Sequence, residues 1–570
     1  MGNLQPWGVR SEYRRALDRF KEKREAGFKD FRQRVEEFKL SNGDGFPESA
    51  ESIEERLTEI VSLTFFELRE KLQSDELNAV TVLTAYVKKA LEVNDRINCC
   101  TEVLSEAFDM AEAADEKWAK STRKPPLYGI PFSVKSNFYM KNYDCTVGVA
   151  KLLDDPKTEN CPFIEHLINL GGIPFVLTNV PQGLLSYVCS NTVYGTTLNP
   201  LDLTRVPGGS SGGEAALLAG GGSVFGTGSD LAGSLRIPAS MCGLTTLKPT
   251  QDRFVVNKIH AGMPGRGRLG LSFGFFTRTV EEQIFLLSLI VGDEAYRQLV
   301  PQSPPAPLSL EKTRLKRPIV FGYYDFDGFC PPVPSHKRVV LETVERLKSH
   351  GHVVVKFVVP EHELAAKLFY KNIMLDNGAY MRGVYENEDI DSNMTQFVTL
   401  LKTPRILRWI ASKLLAPFSS QMSLISASYM GDLEDVRYTQ ELTDNYRETF
   451  IDYWKTLGID ALICPAFIVP AVPHRFPAKV TTAGFATGLF NLLDFPAGVV
   501  PTGTVTKQDD VDLLDERKFP IARNPILKMQ RDAATTSVGL PCSVQCVALP
   551  FEEELCLHAM QCVENLWKSV

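Results

Sequence analysis

The sequence predicts an α/β protein built on a mixed or largely parallel sheet. Helical periodicity dominates the chain up to about residue 125, and after Pro125 short β-branched or apolar runs alternate with helical segments. That alternation is typical of a sheet covered by helices. The 570 residues, 44% of them hydrophobic, are enough for a deep core. Because no repeat, low-complexity segment or single break divides the chain, we expect one large domain over residues 50–570.

The first predicted element is a charged helix over residues 10–39, with eleven basic and seven acidic residues. Its apolar side chains recur at the helical interval of three to four residues: Leu17, Phe20, Phe28, Phe31, Val35 and Phe38. This pattern fits a solvated helix packed on the body or on a partner subunit, or a basic helix on a membrane surface. The composition of SNGDGFPES, residues 41–49, predicts a loop. Residues 1–49 therefore form a separate N-terminal segment.

The remaining elements are predicted from shorter runs. Two helical patterns follow the loop, IEERLTEIVSLTFFELREKL and AVTVLTAYVKKALEV. The strand-like runs are GIPFSV, GGIPFVLT, SVFGTG, RPIVFGYY, HVVVKFV and GIDALICPAF. The helical segments between them include FIEHLINL, EAALLAG and HKRVVLETVERLKSH.

Residues 395–428 stand apart because they contain no acidic residue. Arg405, Arg408 and Lys413 lie among apolar side chains, and Pro417 predicts a break between two short helices. One interpretation is a pair of core helices whose cations reach solvent. The other is a hydrophobic cap at a membrane interface, where Trp, Leu and basic residues are favoured.

Composition excludes several classes of protein. A net charge of −7 argues against a nucleic-acid binder, which needs a basic face. The twelve cysteines are scattered without a CxxC pair, which predicts buried free thiols rather than disulfides or zinc. No stretch approaches the ~20 apolar residues that span a bilayer. We therefore expect an intracellular protein without a metal or a transmembrane segment.

The segment VPGGSSGGEAALLAGGGSVFGTGSDLAGSLRIPAS, residues 206–240, contains ten glycines. Its apolar runs do not suit a disordered linker. A phosphate loop needs Lys followed by Ser or Thr after the glycines, whereas GGSSGG precedes Glu214, whose carboxylate would repel phosphate. The segment is therefore neither a linker nor a phosphate loop.

GGSSG also matches GxSxG, the nucleophile-elbow pattern, with Ser210 at its centre. An elbow follows an apolar strand and uses a histidine, but NPLDLTRVP is polar and none of the eight histidines lies in a constrained motif. A lysine that burial keeps neutral can replace histidine as the base. Lys135, after the apolar run GIPFSV, is the candidate, and the alternative is a strand-end lysine that reaches solvent.

Three motifs resemble the amidase signature family: GIPFSVK (129–135), PGGSSGGE (207–214) and GSDLAGSLRIP (228–238). Their order and separations agree with that family, with 75 residues from Lys135 to Ser210 and 24 from Ser210 to Ser234. From about Ser62 onward, other segments are similar to the fatty acid amide hydrolases within it: FFELREKLQSDEL, TNVPQGLLSYVCSN, LLDFPAGVVPTGTVT and SVGLPCSVQCVALPFEEELCL. The resemblance implies a central twisted mixed sheet surrounded by many helices.

The resemblance also implies the catalytic residues. Ser234 is the expected nucleophile, Lys135 the expected base, and Ser210, on a cis peptide, the proton relay between them. Substrate contacts are expected from the Leu184 carbonyl, from Ser210, and from an oxyanion hole made by the N–H groups of Leu231, Ala232, Gly233 and Ser234. Asp230 and Arg236 are expected to form a scaffold ion pair, and Ser211 is expected to be a supporting residue.

Two positions depart from the family's pattern. Ala232 replaces a common glycine, which is harmless if its φ is negative and strained if it is positive. Leu185 occupies the place of an aromatic residue in the acyl channel of mammalian-type enzymes, so the pattern leaves the preferred chain length open.

Taken with the resemblance, the sequence predicts a cofactor-free amidase that hydrolyses long-chain fatty acid amides through an acyl-enzyme. The alternative is the same mechanism acting on other small amides or esters. Residues 395–428 match the family's membrane cap in position, which favours a protein bound peripherally to the cytoplasmic face of endomembranes. The resemblance further implies a homodimer.

Overall fold

The computed structural model describes residues 7–41, 50–118, 120–265, 267–474, 476 and 481–568. Residues 42–49 of the predicted loop lie outside the described residues. The strands of the described chain are β1 Cys100–Val103, β2 Pro131–Lys135, β3 Ile173–Thr178, β4 Ser190–Asn191, β5 Gly195–Thr196, β6 Gly226–Asp230, β7 Thr245–Lys248, β8 Ser272–Thr277, β9 Val320–Tyr323, β10 Val353–Lys356, β11 Ala461–Pro465, β12 Ala497–Thr504 and β13 Pro541–Val547.

Eleven of the described strands form one sheet in the order β1-β3-β2-β6-β8-β7-β12-β13-β11-β9-β10, and β4 pairs separately with β5. Strands β3, β2 and β6 are parallel neighbours, as are β10, β9 and β11. The other pairs in the sheet are antiparallel. The predicted mixed sheet is confirmed, and its parallel strands lie toward the two edges.

Helices surround this sheet. Those described are α1 Trp7–Ser41, α2 Ala50–Ser62, α3 Phe65–Gln73, α4 Ala79–Ile97, α5 Ala107–Trp118, α6 Pro162–Asn169, α7 Gly212–Ala219, α8 Arg236–Cys242, α9 Val280–Ser288, α10 Glu294–Leu299, α11 Pro334–Ser349, α12 His362–Ile373, α13 Ala379–Tyr385, α14 Thr395–Lys402, α15 Arg405–Leu415, α16 Ser420–Ala427, α17 Leu433–Leu457, α18 Phe485–Leu492, α19 Lys507–Leu514, α20 Pro525–Ala534 and α21 Glu553–Lys568. One apolar core extends from Phe31 to Leu566 and includes residues from both halves of the sheet.

The charged N-terminal helix α1 packs on the body of its own chain. Phe20, Phe31 and Val35 are buried. The Arg24 guanidinium donates a 2.7 Å hydrogen bond to the carbonyl of Thr101 in β1. Helix α1 therefore matches the interpretation of a solvated helix packed on the body of the protein.

The helical pattern of residues 53–72 divides into α2 and α3. Thr64 caps α3: its Oγ1 accepts from the N–H of Glu67 at 3.3 Å, and the Glu67 carboxylate accepts from the N–H of Thr64 at 2.9 Å. Such a capping box satisfies donors at the first turn and starts a new helix.

Residues 395–428 form three helices, α14, α15 and α16, rather than the two expected. Pro404 stands directly before α15, and Pro417 lies in the break between α15 and α16. Thr403, the residue before Pro404, has an extended backbone, as proline favours in the residue before it, so Pro404 separates α14 from α15. The prediction used only Pro417. Among the described helices, none has the length and apolar character that crossing a membrane requires.

Candidate active site

Lys135 is the last residue of β2 and is fully buried. Its Nζ lies 2.9 Å from Oγ of Ser210 and 2.9 Å from Oγ of Ser229. Burial lowers the pKa of Lys135 to about 7, although the negative charge of Asp230 opposes this shift. A substantial fraction of the amine is therefore neutral at neutral pH and able to accept a proton. The alternative of a strand-end lysine that reaches solvent is wrong.

Ser210 is held against Lys135 by the glycines that precede it. The Gly209–Ser210 peptide bond is cis, and Gly208 has a φ of 90°. A Cβ on Gly209 would lie 2.6 Å from the carbonyl oxygen of Ser186. Glycine is needed at both positions because a side chain would be strained at Gly208 and would clash at Gly209.

Ser234 lies in a short loop between β6 and α8 that a buried carboxylate organises. Asp230 accepts hydrogen bonds from the N–H groups of Gly233 at 2.7 Å and Leu235 at 3.1 Å. It also forms a 3.0 Å ion pair with Arg236, and both side chains are completely buried. Burial by itself raises the pKa of Asp230, but the charge and hydrogen bonds of Arg236 hold that pKa far below its usual range. The ion pair expected from the sequence thus fixes the loop that carries Ser234.

Distant parts of the chain complete the support of this ion pair. Arg236 donates to the Thr487 carbonyl at 2.9 Å, to Asn491 Oδ1 at 2.5 Å and to Gln545 Oε1 at 2.7 Å. These partners lie in α18 and β13, more than 250 residues after Arg236 in the sequence. No local pattern in the sequence marks them.

The two serine loops lie next to each other. The N–H of Ser211 donates a 3.3 Å hydrogen bond to the carbonyl of Ser234, and Ser210 and Ser234 line the same cavity. The site therefore brings together the three residues from the three sequence motifs.

The loop from Leu231 to Ser234 contributes three residues to the wall of this cavity. Leu231, Ala232 and Ser234 line the cavity, and their N–H groups donate to no other described backbone group. The N–H of Gly233, which was expected in the oxyanion hole, instead donates a hydrogen bond to Oδ1 of Asp230. Ala232 does not have a positive φ, so alanine fits without backbone strain at this position, where the resemblance led us to expect glycine.

The cavity has a volume of about 200 Å³ and a mostly apolar wall. Leu184 and Leu185, both named from the sequence, line it beside Ser210. Residues from α12, α14 and the following two helices complete the wall: Phe369, Tyr370, Ile373, Phe397, Leu400, Leu401, Arg408 and Ile425. Sequence reasoning named Arg408 only as a cation of the cap and did not find the others, because they are ordinary apolar or aromatic residues of helices.

Sequence reasoning also missed two polar residues beside the lysine. Ser229 Oγ accepts from Lys135 Nζ at 2.9 Å and from Asn137 Nδ2 at 3.0 Å. Ser229 is adjacent to Asp230 in the third motif, and Asn137 is two residues after Lys135 in the first. The position of Ser229 inside the third motif, and of Asn137 just after the first, was the available signal.

Other chemistries find no support among the described residues. None of their histidines hydrogen-bonds to Ser210, whose Oγ is bound by Lys135 instead. The twelve cysteines are free thiols, eleven of them buried. Within the described ranges, no group of three or more His, Cys, Asp or Glu side chains could hold a metal ion.

Comparison with known proteins places this geometry in context. The family model described as Amidase matches residues 81–557. The chain is 34% identical over 567 residues to fatty-acid amide hydrolase 1 of Sus scrofa, covering 98% of this chain and 93% of that protein. It is 35% identical over 508 residues to fatty acid amide hydrolase 1 of Caenorhabditis elegans, covering 89% of this chain and 88% of the relative.

A solved structure has the same fold. A fatty acid amide hydrolase superposes with a TM-score of 0.78 at 21% sequence identity, over 99% of this chain and 98% of that one.

Proposed function

The chain belongs to the amidase family, and we propose that it is a serine amidase that hydrolyses long-chain fatty acid amides to a fatty acid and an amine. N-acylethanolamines and primary fatty amides are the substrates that we propose. The observation that carries this proposal is the apolar cavity that reaches Ser210 and Ser234. Each methylene of an acyl chain gains about 0.8 kcal/mol on leaving water, so such a cavity favours long chains over short ones.

The reaction begins with attack of Ser234 Oγ on the amide carbonyl carbon. Ser210 takes the proton of Ser234 and passes its own proton to neutral Lys135, whose Nζ is 2.9 Å away. The carbonyl oxygen becomes an oxyanion beside the N–H groups of Leu231, Ala232 and Ser234. Each donor to such an oxyanion typically contributes about 3 kcal/mol to transition-state stability.

Collapse of this intermediate breaks the C–N bond. The proton on Lys135 returns through Ser210 to the departing nitrogen, because an unprotonated amine is a poor leaving group. Water then attacks the Ser234 ester and gives its proton to the same relay. The fatty acid leaves, and Ser234 recovers its hydroxyl proton.

We further propose that residues 395–428, the cap, rest on a membrane surface. In α15 and the turn after it, Ile406, Leu407, Trp409, Ile410, Leu414 and Phe418 are exposed large apolar residues. Basic side chains flank them and no acidic residue occurs in the cap, which suits an interface with anionic lipids. Arg408 and Ile425 of the cap also line the cavity, which supports entry of the substrate from the lipid side.

Hydrolysis of a long-chain acylethanolamide, compared with a short-chain amide, tests the substrate. We expect amine release to favour the long chain strongly, together with labelling of Ser234 by a fluorophosphonate probe. Ser234→Ala should lose both signals, with a fall in rate of at least about 1,000-fold. Preference for the short amide would instead support the alternative of small amides or esters, and failure to label Ser234 would contradict its role as nucleophile.

A further inference from the structure

Glu214 is a completely buried carboxyl group for which the mechanism above has no use. It lies in the first turn of α7, four residues after Ser210. Its Oε2 is 2.5 Å from Oγ of Ser133, and its Oε1 is 3.0 Å from Oγ1 of Thr178. The carboxyl group therefore joins the helix that follows Ser210 to two strands of the sheet.

Those two strands meet Glu214 at the level of the catalytic lysine. Ser133 and Lys135 lie on the same face of β2, since alternate residues of a strand share a face. Thr178 is the residue of β3 paired directly with Lys135. Glu214 thus contacts β2 two residues before Lys135, and it also contacts the residue of β3 that is paired with Lys135.

The neighbouring strand β6 makes room for this carboxyl group. Gly226 pairs with Ser133, and a Cβ on Gly226 would lie 2.1 Å from Oε2 of Glu214. Any side chain there would displace the carboxyl group. The glycine thus preserves the position of Glu214.

The charge state of Glu214 matters because Lys135 must be neutral to act as a base. Burial raises the pKa of Glu214 to about 8, against the lowering effect of its hydrogen bonds with Ser133 and Thr178. The charge of Lys135 lowers the pKa of Glu214. In turn, electrostatic interactions with Asp230, Cys189 and Glu214 raise the pKa of Lys135. Glu214 forms no ion pair with any described residue within 4.0 Å. An ionised carboxylate at this place would stabilise the ammonium form of Lys135.

We propose that Glu214 is a positioning residue of the amidase reaction, and that its carboxyl group is protonated at neutral pH. Its neutral carboxyl group holds β2 and β3 against the Ser210 helix without adding a second buried negative charge beside the base. The hydroxyls of Ser133 and Thr178 suit this role because a hydroxyl can both donate and accept. The proposal rests on the proposed roles of Lys135 and Ser210, and it does not depend on the identity of the amide.

Three variants of the full chain test it: Glu214→Gln, Glu214→Ala and Thr178→Val. Glutamine keeps the shape and remains neutral, so we expect little change in kcat and a shift of the acid limb of kcat/KM by less than about half a pH unit. Alanine removes the bridge, and we expect kcat to fall about 100-fold with KM nearly unchanged, as for a displaced catalytic group. Thr178→Val deletes one of the two contacts, so its kcat should lie between these results even if Glu214→Ala does not fold.

Glu282→Gln is the matched control. Glu282 is also a buried glutamate in the first turn of a helix, α9, and burial raises its pKa as well. Its carboxylate accepts from the N–H of Arg278 rather than from a residue of the site. We expect this variant to leave both kcat and the pH profile unchanged.

An infrared difference spectrum of wild type against Glu214→Gln at pH 7 reads the protonation state directly. We expect the carbonyl stretch of a protonated carboxylic acid in the wild type alone. Carboxylate bands in its place, or an acid limb lowered by one pH unit or more in Glu214→Gln, would overturn the neutral state. Wild-type kcat in both Glu214→Ala and Thr178→Val would overturn the positioning role. The kinetics can use any amide that the wild type cleaves, or the rate of Ser234 labelling. An enzyme that cleaves other amides but not lipid amides would therefore contradict only the proposed substrate and would leave this test of Glu214 intact.

Discussion

Nζ of Lys135 and Oγ of Ser210 lie 2.9 Å apart although the residues are separated by 75 positions in the sequence. The lysine ends a strand in the interior of the sheet, and the serine lies in a glycine-held loop before α7. This contact gives the serine a base without a histidine. It also places an amine where burial penalises its charged form.

The pH dependence of activity should follow Lys135. Its pKa is lowered to about 7, so below that pH the amine is protonated and cannot receive the proton of Ser210. We expect kcat/KM to fall about tenfold per pH unit below this pKa, which gives the pH profile an acid limb. In Lys135→Met we expect this acid limb to disappear and the rate to fall by at least about 100-fold. Steady-state kinetics over the pH range in which the circular dichroism spectrum is constant measures both effects. An acid limb that persists in Lys135→Met would identify a different base.

The Ala232 and Gly233 positions should respond oppositely to substitution. Ala232 has no positive φ, so Ala232→Gly should change kcat/KM by less than about threefold. Gly233 has a φ of 120°, and a Cβ there would lie 2.1 Å from Oγ1 of Thr487. Gly233→Ala should therefore lower kcat by about 100-fold by displacing the loop of Ser234. Equal effects of the two substitutions would contradict this description of the loop.

The buried ion pair of Asp230 and Arg236 should dominate the stability of the site. Asp230→Asn leaves the Arg236 guanidinium without its counter-charge, and we expect the free energy of unfolding to fall by about 3–5 kcal/mol. Urea unfolding measures this change. The control is Glu441→Gln in the exposed Arg437–Glu441 pair, which should cost less than about 1 kcal/mol. A similar fall in the free energy of unfolding of both variants would show that burial does not increase the contribution of the Asp230–Arg236 pair to stability.

The cap should bind lipid through α15. The double variant Trp409→Glu/Ile410→Glu places two charges on its exposed apolar face, and we expect vesicle binding to weaken more than about tenfold, since each buried large apolar side chain contributes about 1.5–3 kcal/mol. Co-sedimentation with vesicles that contain anionic lipid measures the effect. Leu514→Glu is the control, because Leu514 is exposed on α19, outside the cap. Unchanged sedimentation of the double variant would refute the membrane proposal.

The local patterns located six strands of the large sheet, β2, β3, β6, β9, β10 and β11, because each is a short apolar run near glycine or proline. Strands β1, β7, β8, β12 and β13 were not predicted. Their segments contain polar residues or cysteine that weaken the periodic signal, and sheet pairing rather than local preference makes them strands. The third helix of the cap was missed for a related reason, since only one of its two prolines was used as a break.

By itself, the sequence determined the α/β class and the three motifs, since local periodicity and short-range spacing are properties of neighbouring residues. It also specified which lysine and serines to consider. Only the tertiary structure decided that Lys135 is buried with a lowered pKa, that the N–H of Gly233 donates to Asp230, and that α12 and the cap contribute to the wall of an apolar cavity at Ser234. Burial, pKa and cavity shape depend on what surrounds a side chain in space. For this protein those neighbours come from segments hundreds of residues away, and folding alone brings them together.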